Sequence, residues 1–180
     1  MKAAKKQKGI LIAVDGVNGA AVKKTAKQQI AAIPKSRRAG VSYWDASGIF
    51  DDLVVAGIDA GHASARTLVL LYAADLAFRL RWEIRPAVAE GRTVAAAPYV
   101  ATGIAFGRAA GLPAGWLKDV FAFAMPADVT RHVDVAPARK PQPVGFIDWG
   151  CQRLAEASFV LPRRALTDRA RKHLKKTLRG

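Results

Sequence analysis

The hydrophobic pattern of the chain switches between the periodicity of buried strands and that of amphipathic helices. Residues 10–14 form a continuous apolar run before a glycine, which is typical of a strand buried on both faces. Residues 64–90 are expected to form a long helix, interrupted or restarted at Pro86. Its predicted apolar stripe has spacings of three, seven and four residues and consists of Leu68, Leu71, Phe78 and Trp82.

The same patterns predict the other elements. Further helices are expected over residues 21–33, 50–57, 101–110, 115–123, 145–160 and 163–178. Further strands are expected over residues 40–46, 93–97 and 129–135. Strands that alternate with helices predict an α/β protein with a mostly parallel sheet flanked by helices on both faces. A length of 180 residues fits a single domain, residues 1–180.

Positive charge is concentrated at the two ends of the chain. The formal net charge is +15, of which +4 lies in a basic arm, residues 1–8, and +7 in a basic C-terminal helix, residues 163–180. Such a helix attracts nucleic acid, anionic lipid or an acidic protein partner, although a run of cations is also an ordinary solvated helix face.

Cysteine content and hydropathy restrict the class of protein. The single cysteine, Cys151, provides neither a disulfide framework nor a cysteine-based zinc site. The apolar run after the first lysines ends at Asp15 and is too short for a signal peptide, and no run approaches the roughly 20 apolar residues of a membrane span. We therefore expect a cytoplasmic protein.

The segment GILIAVDGVNGAAVKKT, residues 9–25, has the layout of a phosphate-binding loop between a strand and a helix. The working pattern is G-x-x-x-x-G-K-[ST]. With Gly16 as the first glycine, the second falls at Ala21 and the lysine at Val22. Lys23 and Lys24 follow too late, and a shift of one residue turns a side chain by about 100° around a helix. Two interpretations of this segment remain open. In one, the phosphate loop is longer by one or two residues; in the other, the segment is a simple strand-to-helix turn with solvated lysines.

Several further motifs occur in the order found in one enzyme family. They are AAD at 73–75, IRPAV at 84–88 with Gly91, the tyrosine Tyr99, Ala105-Phe106, GLP at 111–113 and DVTRHVDV at 128–135. With residues 9–25 included, the chain resembles thymidylate kinases over residues 9–135. The resemblance implies a P-loop NTPase-like three-layer fold, Mg-ATP and thymidine monophosphate (dTMP) as ligands, and a homodimer formed through the long helix 64–90.

The departures from the family pattern fall on functional positions. The family's D-R-Y motif, whose aspartate helps to hold magnesium and whose arginine reaches the monophosphate, is replaced by Ala97 and Pro98 before the tyrosine. Leu76 stands where the family has the arginine of A-A-D-R, and Asn18 where it has the aspartate of G-x-D-G. Phosphoryl transfer depends on positioning and charge neutralisation, so these changes predict an impaired enzyme or pseudo-kinase.

The resemblance also assigns candidate site residues, none of them with a confident catalytic role. Asp15 and Thr25 are the candidate magnesium ligands, and Tyr99 and Arg79 lie on the substrate side. Phosphate or nucleotide contacts are expected from Gly16, Val17, Asn18, Gly19, Ala20, Ala21, Lys23, Lys24 and Thr25.

Two rival functions remain. In the first, the loop is extended and an active nucleoside monophosphate kinase uses Mg-ATP. In the second, the fold is a non-enzymatic scaffold whose basic helix 163–180 binds nucleic acid or an acidic partner.

Overall fold

The computed structural model describes residues 8–44, 46–48 and 65–135. Within them the strands are β1 (Ile10–Gly16), β2 (Arg38–Tyr43), β3 (Thr93–Ala97) and β4 (Val129–Val133). The helices are α1 (Gly19–Ala31), α2 (Ala65–Arg79), α3 (Arg85–Ala89), α4 (Val100–Ala109) and α5 (Ala114–Val120), with a 3-10 turn at Lys35–Arg37 and a π-helical turn at Leu80–Ile84. The helices predicted at 50–57, 145–160 and 163–178 and most of the arm 1–8 lie outside the described residues.

The four strands form one parallel sheet in the order β2-β3-β1-β4. Ala13 of β1 lies opposite Ala96 of β3 and Thr130 of β4. The order of strands differs from their order along the chain, which requires crossover connections, and helices cover both faces of the sheet. The prediction of an α/β fold with a mostly parallel sheet is therefore confirmed, and the arrangement is that of a P-loop kinase-like fold.

The apolar run of β1 supplies both faces of the sheet in alternation. Leu11 and Ala13 join the core formed with α2, α4 and α5, whereas Ile12 and Val14 join a second core formed with α1. Successive strand side chains point to opposite faces, so a strand covered on both sides is apolar at every position. This explains why the sequence run predicted β1 correctly.

Two boundaries differ from the sequence prediction because side chains cap the helix ends. α1 begins at Gly19, two residues before the predicted start, since the Asn18 side chain accepts a hydrogen bond from the Ala21 amide at 2.9 Å. The helix ends at Ala31, and the Arg38 guanidinium donates to its carbonyl at 3.1 Å. Strand β2 consequently begins at residue 38 rather than 40 and ends at 43 rather than 46.

The remaining predicted boundaries are close to the observed ones. β3 matches the prediction, α4 and α5 each begin one residue earlier than predicted, and β4 ends two residues earlier. Asp128 sets the start of β4, because its carboxylate accepts from the Leu11 amide at 2.9 Å and from Lys8 at 2.7 Å. The Leu11 amide, followed by Lys8, lowers the pKa of Asp128.

The predicted long helix contains a π-helical turn before Pro86, and its apolar stripe is only partly buried. The Arg85 amide bonds back to the Leu80 carbonyl, and the α-helix then restarts with Pro86, which has no N–H to donate, in its first turn. Leu68 is buried, but Phe78 is 39% and Trp82 62% exposed. Apolar residues occur all round this helix, so spacing alone did not select the face that packs on the sheet.

Within the described ranges, no helix combines the length and the apolar character needed to cross a membrane. The cytoplasmic location stays a prediction.

Candidate functional site

The candidate phosphate loop is a tight turn at the carboxyl end of β1. The strand ends at Gly16 and α1 begins at Gly19, so only Val17 and Asn18 lie between the two elements. The working motif needs four residues between its two glycines, with the backbone wrapped around the phosphates. Here the Asn18 side chain already accepts from the Ala21 amide, one of the N–H groups at the helix start.

Gly16 is required by packing in this structure. A Cβ at Gly16 would lie 2.8 Å from the Val133 carbonyl oxygen and 3.0 Å from a methyl carbon of Val22. The first contact is with backbone and cannot be relieved by a rotamer change. The glycine that suggested a phosphate loop in the sequence therefore also permits β4 and α1 to approach β1.

The charged and hydroxyl residues of the motif lie along the body of α1. Lys23 is four residues and Thr25 six residues beyond Gly19, which places them about 6 Å and 9 Å along the helix axis from its first residue. Lys23 is exposed and its Nζ lies 5.1 Å from the centroid of the Tyr43 ring, at the end of β2. Lys24 is exposed, and Thr25 is partly buried. The helix start therefore does not gather these side chains around the turn.

Asp15, the other candidate magnesium ligand, is 4% exposed and caps a different helix. Its Oδ1 accepts hydrogen bonds from the Tyr99 amide at 2.8 Å, the Thr102 amide at 3.0 Å and the Thr102 hydroxyl at 2.8 Å. The carboxylate thus lies at the N-terminus of α4, where the helix dipole favours negative charge. The Thr102 hydroxyl also accepts from the Gly16 amide at 3.2 Å, so this cluster ties β1 to α4.

The two proposed metal ligands have different surroundings, and a magnesium site that they share stays a prediction. Asp15 faces the start of α4, whereas Thr25 lies about 9 Å down α1. Among residues 8–44, 46–48 and 65–135 there is also no group of three His, Cys, Asp or Glu side chains arranged to hold a metal ion.

Tyr99 is a buried residue that follows β3 at the carboxyl edge of the sheet. It is 4% exposed, and its hydroxyl donates to the Met125 carbonyl at 2.6 Å. Burial, which outweighs the favourable charge of Arg79, raises the pKa of Tyr99 to about 12. Its carbonyl accepts from the hydroxyl of Tyr72, whose own pKa is raised well above the usual value by burial. Both phenols therefore remain protonated donors at neutral pH.

A fully buried ion pair lies beside Tyr99 at the carboxyl ends of β2 and β3. Asp75 and Arg79 are each 0% exposed, and their Oδ2 and Nε atoms are 2.8 Å apart. The Asp75 Oδ1 accepts from the Ser47 amide at 3.0 Å. The Arg79 Nη1 donates to the carbonyls of Pro98 at 2.9 Å and Ser42 at 3.4 Å. The pair thus links α2 to the ends of two neighbouring strands.

Arg79 was predicted on the substrate side, but its pairing with Asp75 was missed. The signal was present, because an Asp and an Arg four residues apart on a helix are neighbours on its surface. The Arg79 Nη2 is buried without a hydrogen-bond partner in the described part of the chain. It is the one nitrogen of this guanidinium not engaged by Asp75, Pro98 or Ser42.

The positions of the missing D-R-Y side chains are filled by the fold. Ala97 is 1% exposed and packs in the core under α1, and Pro98 is buried with its carbonyl bound to Arg79. Arg79 therefore places a positive charge beside the position from which the family's arginine would project. Ala97 occupies the position of the D-R-Y aspartate, and β3 contains no carboxylate that could replace it.

Structural comparison identifies the relatives of this fold. The structure is similar to that of a thymidylate kinase from Ehrlichia chaffeensis, with a TM-score of 0.56 and 11% sequence identity. The match covers 84% of this chain and 99% of the kinase chain. No protein-family model and no curated protein sequence matches the chain. The similarity shows a distant thymidylate-kinase-like fold, in agreement with the resemblance predicted from the motifs.

Proposed function

We propose that this protein is a catalytically impaired relative of the thymidylate kinases that retains at most weak nucleotide binding. The observation that carries the proposal is the two-residue connection between β1 and α1, with Asn18 bound to the helix it precedes. A nucleotide phosphate would have to compete with the Asn18 side chain for the Ala21 amide.

The short turn argues against the rival of an active kinase with an extended loop. Lengthening the loop enough to place Lys23 or Lys24 at the terminal phosphates requires α1 to unwind by at least a turn. That unwinding withdraws Val22, which is 0% exposed, from the core between α1 and the sheet. Burying a valine contributes about 1.5–3 kcal/mol, which any bound nucleotide would have to offset.

The described residues do not fit a magnesium ion at the loop. Magnesium is usually held by one or two carboxylates together with substrate phosphates in near-octahedral geometry. Asp15 Oδ1 already accepts three hydrogen bonds, and Thr25 lies on the body of α1. We therefore derive no transfer step through Mg-ATP.

Weak nucleotide binding rests on the remaining positive charge. Lys23 and Lys24 are exposed on α1, and Lys23 lies about 6 Å along the helix axis from its first residue. A phosphate that approaches the exposed side of α1 meets these two cations but not an ordered cradle of amides. Mg-ATP and dTMP are the ligands to test.

Calorimetric titration and a coupled phosphoryl-transfer assay test this function directly. We expect no saturable micromolar binding of Mg-ATP, weak binding of dTMP at most, and transfer slower than that of an active thymidylate kinase by at least about 10³-fold, since losing one well-placed charge-stabilising donor costs about 10²–10³ in rate. The matched control is Lys27→Ala, an exposed lysine one turn further along α1.

Micromolar Mg-ATP binding and efficient transfer, both weakened by Lys23→Ala or Lys24→Ala but not by Lys27→Ala, would overturn the proposal. That result would establish the extended-loop kinase. The basic helix 163–180 lies outside the described residues, so its binding to nucleic acid or an acidic partner stays a prediction.

A homodimer through the long helix is part of the same proposal. Leu70, Phe78 and Trp82 are 51%, 39% and 62% exposed, and with Ala74 they recur every four residues along one side of the helix. This continuous apolar strip supports a second copy of the chain as its partner. In sedimentation experiments we expect Trp82→Glu to shift the dimer to monomer, because it buries a charge within the contact.

Phe123→Glu serves as the control for the dimer, since Phe123 is 38% exposed and lies outside the helix. A wild-type protein that sediments as a monomer, or an equal effect of both substitutions, would contradict the dimer proposal.

A further inference from the structure

One continuous segment of the chain carries an unusual excess of positive charge. Residues 19–38 contain six cations and no acidic residue. Arg37 and Arg38 donate hydrogen bonds to backbone carbonyls of the fold. The other four, Lys23, Lys24, Lys27 and Lys35, are exposed, and we call them the lysine surface.

The fold holds the lysine surface toward solvent. The opposite side of α1, with Val22, Ala26 and Ile30, is buried against the sheet. Lys23 and Lys27 are one turn apart, about 6 Å along the helix axis, and Lys35 follows just beyond the end of α1. The Tyr43 ring faces the ammonium of Lys23 at 5.1 Å and restricts where that charge lies.

Among residues 8–44, 46–48 and 65–135, no acidic side chain forms an ion pair with the lysine surface. Across the described ranges, the ion pairs join Lys8 to Asp128, Arg79 to Asp75 and Arg92 to Glu90, and none includes a lysine of this surface. Four exposed cations in one short segment, without an acidic partner in the described part of the chain, produce a local positive potential that attracts a polyanion.

The chemistry of the surface favours nucleic acid over a lipid membrane. A helix that lies on a membrane inserts apolar side chains between the headgroups. The large exposed hydrophobic residues of the described chain are Leu70, Phe78, Trp82, Phe123 and Val135, none of which lies in residues 19–38. The apolar side of α1 is already used in the core, which leaves lysines, alanines and glutamine to contact a partner.

We propose that the lysine surface binds the phosphodiester backbone of nucleic acid without base specificity. Lysine ammonium groups replace condensed counterions on the phosphates, and the released ions make binding strongly salt-dependent. The inference does not rest on the nucleotide site, because Lys27 and Lys35 lie outside the candidate phosphate residues.

Salt-dependent binding of the full chain to a fluorescent 20-nucleotide oligothymidine and to a DNA duplex of equal length tests the proposal. The variant Lys27→Glu/Lys35→Glu leaves the nucleotide residues intact. Losing two phosphate contacts is expected to reduce the slope of log K against log salt by about 2 on the duplex, and to weaken binding about 50-fold at 0.1 M salt.

Lys118→Glu/Arg131→Glu is the matched control, since it changes the net charge equally at two exposed cations elsewhere. Circular dichroism melting verifies that both variants fold. The control is expected to keep the wild-type slope.

Three results would overturn the proposal. They are a wild-type slope in Lys27→Glu/Lys35→Glu, an equal loss in both double variants, which would indicate net charge alone, and tight binding to phosphatidylserine vesicles without binding to DNA. Because the variant spares Lys23 and Lys24, its nucleotide titration reports separately on the proposed kinase-like site.

Discussion

Arg79→Ala is expected to lower the free energy of unfolding by about 3–5 kcal/mol, the cost of leaving a buried charge without its partner. The Asp75 carboxylate, fully buried 2.8 Å from Arg79 Nε, would retain only the Ser47 amide. The carbonyls of Pro98 and Ser42 would also lose this donor, so two of the hydrogen bonds that link α2 to the ends of β2 and β3 would be lost. Urea denaturation followed by circular dichroism measures the loss.

Two further variants separate charge pairing from packing. Asp75→Ala should be about as destabilising as Arg79→Ala. The double variant Asp75→Leu/Arg79→Met should recover a large part of the loss, because apolar replacements of similar volume remove both buried charges at once.

A different result would identify Arg79 as a ligand-binding residue. If Arg79→Ala unfolds within about 0.5 kcal/mol of the wild type, as ordinary surface substitutions do, while dTMP binding disappears, the structural role is wrong. In that case the Arg79 guanidinium would contact the phosphate.

Asp15→Ala is expected to cost about 3–5 kcal/mol, because it leaves three donors at the start of α4 without their acceptor. These donors are the Tyr99 amide, the Thr102 amide and the Thr102 hydroxyl. Asp15→Asn keeps an oxygen in nearly the same place and loses only the charge, so its effect should be about 1–2 kcal/mol. Thermal and urea unfolding of the wild type, Asp15→Ala and Asp15→Asn measure these differences in the free energy of unfolding.

The same proteins decide whether Asp15 also holds magnesium. A ligand that binds only the folded state raises stability in proportion to the logarithm of its concentration. We expect about 10 mM magnesium chloride, compared at equal ionic strength, to leave the stability of the wild type unchanged. A rise in the wild type that is absent in Asp15→Asn would establish the metal site.

The motifs of the sequence were sufficient for the fold but not for the roles of the site residues. Both a phosphate loop and a close contact with Val133 require a glycine at position 16, so the sequence does not distinguish these two roles. An aspartate at position 15 fits both a metal ligand and a helix cap, and only the position of Thr102 in the structure distinguishes these two roles. The apolar spacing of the long helix did not distinguish the buried Leu68 from the exposed Phe78 and Trp82, because apolar residues occur on every side of that helix.

The sequence by itself determined the order of strands and helices, the burial of β1 on both faces and the concentration of charge, because these depend on local periodicity and composition. Only the tertiary structure decided that α1 starts two residues after Val17, that Asp15 caps α4, and that Arg79 pairs with Asp75 beneath Pro98. Hydrogen bonds such as that from Thr102 to Asp15 join residues far apart in the chain. A carboxylate accepts from, and a guanidinium donates to, whichever partner the fold brings within about 3 Å.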